Sequence, residues 1–209
     1  MVNLKISRYC HIKDNKVFID GKLIFEDRDV AGLKPFSKSL YRFLAPSYNK
    51  FFKMDEISRL GFLAAEVLLR DFDLSGYNPD EISVILSNSE STLITDQNHQ
   101  ITINDFDNFF PSPSVFVYTL PNIMIGEISI RHKFRGENAF FIVENFSADL
   151  IANHINNLFL TNKSKVFVGG WANQSNDNYE AFGYLASDKG HLQHNALEIK
   201  SLYNNKIEY

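Results

Sequence analysis

Apolar and polar positions alternate along the chain in blocks of two different periods. Residues 3–24, "NLKISRYCHIKDNKVFIDGKLI", form short β-type runs broken by Asp14-Asn15 and Asp20-Gly21, which is hairpin punctuation. Residues 54–72, "MDEISRLGFLAAEVLLRDF", give the clearest helix: Asp55 and Glu56 stand near its start, and Ile57, Leu60, Ala64, Val67 and Leu68 make a stripe that Phe62, Leu63, Ala65 and Leu69 widen. So wide a stripe implies heavy burial. "EISVILSN" (81–88), "AFFIVEN" (139–145), "KVFVGG" (165–170, closed by its glycine pair) and "YEAFGYLAS" (179–187) are continuous apolar runs and predict buried strands. Two further helices are expected, one opened by Pro121 and ended by the glycine of "RGEN", the other over "SADLIANHINNLFLTN" (147–162). Residues 33–53 look irregular and aromatic-rich. Residues 89–119 look polar and then aromatic, with Pro111 and Pro113 breaking any helix, and the tail from 188 carries little pattern. Strands and helices alternating at these lengths predict one α/β layered domain over 1–209.

Composition narrows the function classes. The chain has 209 residues, 44% hydrophobic and 22% charged, enough for a sizeable core. A net charge of -4 without a Lys/Arg run argues against nucleic acid as a partner. No apolar stretch approaches the ~18 residues of a membrane span, and the N-terminus lacks the apolar stretch of a signal peptide. Cys10 is the single cysteine, so no internal disulfide forms, which fits a reducing cytoplasm.

Residues 111–138, "PSPSVFVYTLPNIMIGEISIRHKFRGEN", resemble the N-terminal half of the β-ketoacyl-acyl-carrier-protein synthases. That family carries a T-x-P-N segment, a small-residue helix, then "IR" and "RGPN". Here Thr119, Pro121, Asn122, Gly126, Ile130, Arg131, Arg135, Gly136 and Asn138 fall in that order. The helix at 54–72, the strand and serine loop "ISVILSNSEST" and the strand "KVFVGGWAN" resemble further family blocks, in family order, from Met54 to Asn173. The resemblance implies a thiolase-like N-terminal half, a mixed sheet flanked by helices. It also implies that dimers form through the strand at 139–143.

Two departures bear on activity. The family's nucleophile lies in a "T-A-C" turn, and an ungapped count from Asn138 puts Asn145 at that cysteine, with Glu144 and Phe146 beside it. An amide does not serve as the acyl acceptor where a thiolate is needed. The family's catalytic histidines and lysine belong to a second half that would begin where this sequence ends. The resemblance therefore implies no catalytic residue, cofactor or metal. It implies a chain-length-factor-like subunit in fatty acid or in aryl polyene or flexirubin-type polyketide synthesis. Its partner would be a full-length ketosynthase or a second copy, with acyl carrier protein a further candidate. Two alternatives stay open: an acyl-thioester enzyme using Glu144, Asn145 or the histidines at 191 and 194, and a stand-alone acyl or carrier-protein binding module.

The helix at 147–162 offers an independent check. Leu150, Ile151, His154, Ile155, Leu158 and Phe159 share one face, and Ala148, Ala152, Asn153, Asn156 and Asn157 share the other. The asparagine face must meet water or hydrogen-bonding partners. It suits a half-fold whose missing layer is replaced by solvent or another protein, and equally an ordinary surface helix. Other groupings are weaker. His191 and His194 have the spacing of a two-imidazole metal pair but no third ligand. Asp71 and Asp73 form a carboxylate pair at a helix end, Ser87, Ser89 and Ser91 outline an anion cradle, and Gly169-Gly170 before Trp171 would admit a ligand to the backbone. Each also has a purely structural explanation.

Overall fold

The computed structural model describes residues 3–104, 107, 110–176 and 178–204. Among the described residues eight strands form one mixed sheet: β1 (Lys5–Lys13), β2 (Lys16–Ile19), β3 (Lys22–Glu26), β4 (Ile82–Asn88), β5 (Asn138–Ile142), β6 (Val166–Ser175), β7 (Asn178–Ser187) and β8 (Leu192–Gln193). The order across the sheet is β3-β2-β1-β7-β6-β4-β5, and β8 pairs with the start of β1. Strands β6, β4 and β5 are parallel, and the rest of the sheet is antiparallel. The two hairpins lie where the turn residues put them, with Asp14, Asn15, Asp20 and Gly21 all at positive φ.

Helices cover both faces. On one lie α1 (Leu33–Leu44), α2 (Glu56–Leu69) and α5 (Ile123–His132), packed over Cys10, Val84, Val168 and Leu185. On the other lie α6 (Ala148–Leu160) and α7 (Ala196–Asn204), packed over Ile85, Phe167, Phe182 and Tyr184. α3 (Leu93–Ile101) and α4 (Pro113–Val117) sit together between β4 and α5 in sequence. Helix α2 is buried along nearly its whole length, as its stripe demanded, and Asp55 caps it by accepting from the Ser58 amide at 3.1 Å.

Several expectations fail for identifiable reasons. Residues 33–44 are helical because Leu33, Phe36, Leu40 and Tyr41 form a buried stripe, and Pro35 falls in the first turn, where no donor is required. Pro113 opens α4 rather than breaking it. Helix α5 starts two residues after Pro121 and ends at Lys133 in the left-handed conformation, not at the glycine. Gly136 serves β5 instead: a Cβ there would lie 2.4 Å from the Ile82 carbonyl oxygen. β6 does not end at its glycine pair but runs on to Ser175. The tail folds as β8 and α7. Finally β5 is not a fully buried strand. It is the sheet edge, with Asn138 and Ile142 exposed.

The family-like motif residues build this frame. Arg131 donates from Nε to Glu66 Oε1 at 2.8 Å and from Nη2 to the Pro46 carbonyl, tying α5 to α2. The Thr92 hydroxyl donates to the Thr119 carbonyl at 2.8 Å, and Asn138 Oδ1 accepts from Ser129 at 3.3 Å.

Candidate functional site

The turn between β5 and α6 carries Glu144, Asn145 and Phe146. The parallel ladder continues one residue past β5, with the Val143 amide donating to the Asn88 carbonyl at 2.9 Å. Glu144 and Asn145 then project into solvent. Phe146 turns inward against Tyr203, Phe182 and Trp171, with ring centroids 4.6, 5.5 and 6.1 Å away. Ser147 caps α6 by accepting from the Leu150 amide at 3.3 Å. The elbow is therefore held by a half-buried aromatic plug and a helix cap. Asn145, the residue that an ungapped count gives for the family's nucleophile, stands two residues before the cap.

The single thiol of the chain is no substitute. Cys10 is wholly buried against α2, its Sγ 3.7 Å from the Ala64 carbonyl, and desolvation pushes its pKa up to about 12. A thiol so placed stays protonated and unreactive.

The histidine pair separates. His191 is exposed, and its amide donates to the Ile6 carbonyl. His194 is buried between Asn156 and Tyr184: Nδ1 lies 2.9 Å from Asn156 Oδ1 and Nε2 3.3 Å from the Tyr184 hydroxyl. With Nδ1–H donating to the amide oxygen, Nε2 is left to accept from the phenol, so the neutral ring satisfies both neighbours. Burial lowers its pKa to about 4. Among the described residues no cluster of three or more His, Cys, Asp or Glu is arranged to hold a metal.

The remaining candidates are taken up by structure. Asp71 is exposed at φ 58°, and Asp73 accepts from the Ser75 amide at 2.9 Å, so the two carboxylates do separate jobs. The amides of Ser89 and Glu90, which an anion would use, both donate to Asn173 Oδ1, at 3.1 and 3.2 Å. Ser91 is bracketed by the Asn88 side chain, and the Ser87 hydroxyl donates to the Gly170 carbonyl. Gly169 leaves room for a ring rather than a ligand, since its Cβ would lie 2.7 Å from Tyr184 Cζ. Trp171 donates to Glu180 Oε1 at 3.0 Å, and the Tyr203 hydroxyl donates to the same oxygen at 2.8 Å.

Helix α6 departs from its expected polar face. Ala148 and Ala152 are buried, Asn153 and Asn157 meet solvent, and Asn156 bonds to His194. Part of the face expected to meet solvent or a partner is covered by α7, which buries Ile199 and Leu202 against the same core as α6. Sequence reasoning missed this contribution, although Ile199, Leu202 and Tyr203 stand at the i, i+3, i+4 spacing of a short helix stripe.

No family model matches the sequence, and no curated protein does. Solved structures do match. "The ishigamide ketosynthase/chain length factor" superposes with a TM-score of 0.65 at 14% identity, over 88% of this chain and 62% of that one. The chain has the ketosynthase fold. A type II polyketide synthase acyl-carrier protein in complex with its hexaketide-bound ketosynthase (AntDE:AntF) gives a TM-score of 0.61 at 11% identity, over 90% and 63% of the two chains. A third match is the ketosynthase ApeO in complex with its chain length factor ApeC from Xenorhabdus doucetiae. It has a TM-score of 0.57 at 12% identity and covers 97% of this chain and 91% of that one. The protein thus spans about three-fifths of the first two ketosynthase-fold chains and nearly all of the third. It holds the mixed, thiolase-like sheet flanked by helices that its motifs implied. Among the described residues no helix is long and apolar enough to cross a membrane.

Proposed function

We propose that the protein is a non-catalytic, chain-length-factor-like subunit that pairs with a ketosynthase in polyketide or fatty acid synthesis. Aryl polyene or flexirubin-type synthesis is the preferred setting, with acyl carrier protein as a further contact and the cytoplasm as the compartment. The whole chain acts as one domain in this reading. The elbow supports it by offering an exposed amide, Asn145, in place of a thiolate. Two of the structures that share its fold are the ishigamide ketosynthase/chain length factor and the ketosynthase ApeO in complex with its chain length factor.

The observation that carries the proposal is the edge of β5, which no other strand pairs among the described residues. Because Val143 bonds toward β4, strand alternation directs the N–H and C=O of Phe140 and Ile142 away from the sheet. Ile142 is 54% exposed on that edge. An apolar strand with an unpaired edge is a template for another chain. Hydrogen bonds lead from it to a second apolar region: Val143 bonds Asn88, Asn88 brackets Ser91, and Thr92 bonds Thr119. The neighbours of those last two residues, Leu93 and Leu120, are exposed, as are Phe116 and Val117.

The test is Ile142→Pro. Its amide faces the open edge, so a proline is tolerated by the monomer but cannot join a cross-chain ladder. The tagged chain and a ketosynthase from the same organism are co-expressed, and the complex is sized by light scattering. Wild type should form the pair, and the variant should lose it while keeping its circular dichroism and melting temperature. A wild-type chain that stays monomeric at high concentration, alone and with the ketosynthase, refutes the proposal.

A further inference from the structure

A cavity of about 230 Å³ lies where the start of α1, the 3-10 helix Asn49–Lys53, the start of α2, α3 and α4 meet. Its inner wall carries Met54, Thr95 and Tyr118, all buried, with the half-buried Ile94 beside them. Lys34 and Lys53, both exposed, line its mouth.

Charge around this mouth is segregated. Residues 30–54 contain Lys34, Lys38, Arg42, Lys50 and Lys53 and no Asp or Glu, in a chain whose net charge is -4. Lys50 is committed to Glu127 at 2.8 Å. Lys34 and Lys53 make no ion pair with the described residues. The carboxylates at the cavity's inner end are engaged with the protein: Asp55 accepts from the Ser58 amide and the Thr95 hydroxyl, at 3.1 and 2.6 Å, and Glu56 accepts from Gln174 at 3.1 Å. The buried Arg59 guanidinium lines this end too: it donates to the Phe51 and Phe52 carbonyls, has Asp55 and Glu56 beside it, and leaves Nη1 without a partner among the described residues. An anion placed deep would face this guanidinium together with the two carboxylates, whereas one placed at the mouth faces two unpaired ammonium groups. Between the two ends the wall offers a thioether, an isoleucine and a phenol ring.

We propose that this cavity binds a small molecule with a phosphate or carboxylate end held by Lys34 and Lys53. Its neutral, partly apolar body lies against Met54, Ile94 and Tyr118. The proposal concerns a site other than the elbow and does not depend on pairing with a ketosynthase.

The experiment is an NMR titration of the full chain with phenyl phosphate, benzoate, benzyl alcohol and inorganic phosphate. Phenyl phosphate and benzoate should give saturable shifts at Met54 and Ile94, with benzyl alcohol and inorganic phosphate each bound at least about tenfold more weakly. The tighter of the two anions identifies the head group. Lys34→Ala/Lys53→Ala should weaken both anions about tenfold, the expected loss of two solvent-exposed charge contacts, and leave benzyl alcohol unchanged. Lys38→Ala/Arg42→Ala, outside the cavity, should change nothing. Absence of saturable shifts overturns the proposal, as does unaltered anion binding in the Lys34/Lys53 variant. Inorganic phosphate binding as tightly as phenyl phosphate also overturns it, by assigning the binding to surface charge alone.

Discussion

Acidification should destabilise this protein through His194, and the size of the effect follows from where the ring sits. In the native state the imidazole is buried, bonded to Asn156 and Tyr184, and has a pKa lowered to about 4 by desolvation. Unfolded, it returns to about 6.5. Between those values the unfolded chain takes up a proton that the native state refuses, so stability falls as pH drops through the window and is fully present above it. A shift of roughly 2.5 units corresponds to about 3 kcal/mol, of which about 2.5 kcal/mol is lost on going from about pH 7.5 to about pH 4.5. His11, also lowered by burial, adds a term of the same sign. Asp55, raised by burial, opposes it, because the native state there binds the proton more readily. These groups are common to wild type and His194→Gln, so the comparison isolates one ring. Urea unfolding followed by circular dichroism at both pH values is the assay. The variant should be less stable than wild type at neutral pH and should lose about 2–3 kcal/mol less on acidification. Equal losses in the two chains, or an NMR titration of the His194 ring near 6.5, would refute the argument and reopen a catalytic role for this histidine.

Three further outcomes are expected. Cys10 should resist alkylation in the native chain and react on unfolding, as mass spectrometry after iodoacetamide would show, because the thiol is buried with a pKa near 12. Asn145→Cys should be alkylated rapidly in the native state, since the elbow is exposed, yet form no ketoacyl product from acyl- and malonyl-carrier protein. A buried new thiol would falsify the elbow geometry, and product would falsify the non-catalytic reading. Gly169→Ala should cost about 1–3 kcal/mol in urea unfolding, because the added methyl meets Tyr184 and Ile155 in a packed core. A neutral result would show that the ring can move aside.

The elements legible in the sequence are those whose signals are local. The stripe of α2 with Asp55 and Glu56 near its start, the Asp-Asn and Asp-Gly turns, the helical pattern that begins at Ser147 and the apolar runs of β4, β6 and β7 each act within a few residues, so reading them needs no knowledge of the rest of the chain. That residues 144–146 hold no cysteine needs no structure either, because it is a matter of residue identity. Other features depend on partners far along the chain. An apolar run such as 139–143 reads as buried, yet its place at the sheet edge follows only from the pairing order, in which β5 comes last among the described residues. Gly169 and Gly170 look like a strand end until Tyr184 and Phe182 of the neighbouring strand are seen pressed against them. His191 and His194 look paired until the ladder to β1 turns one outward and α6 encloses the other. The weakly patterned tail becomes β8 and α7 because β1 supplies an edge and α6 an apolar surface. Residue type and spacing set what each segment can form locally. Which edge stays open, which histidine is dry and which cations are left unpaired are decided by contacts between segments that only the folded chain brings together.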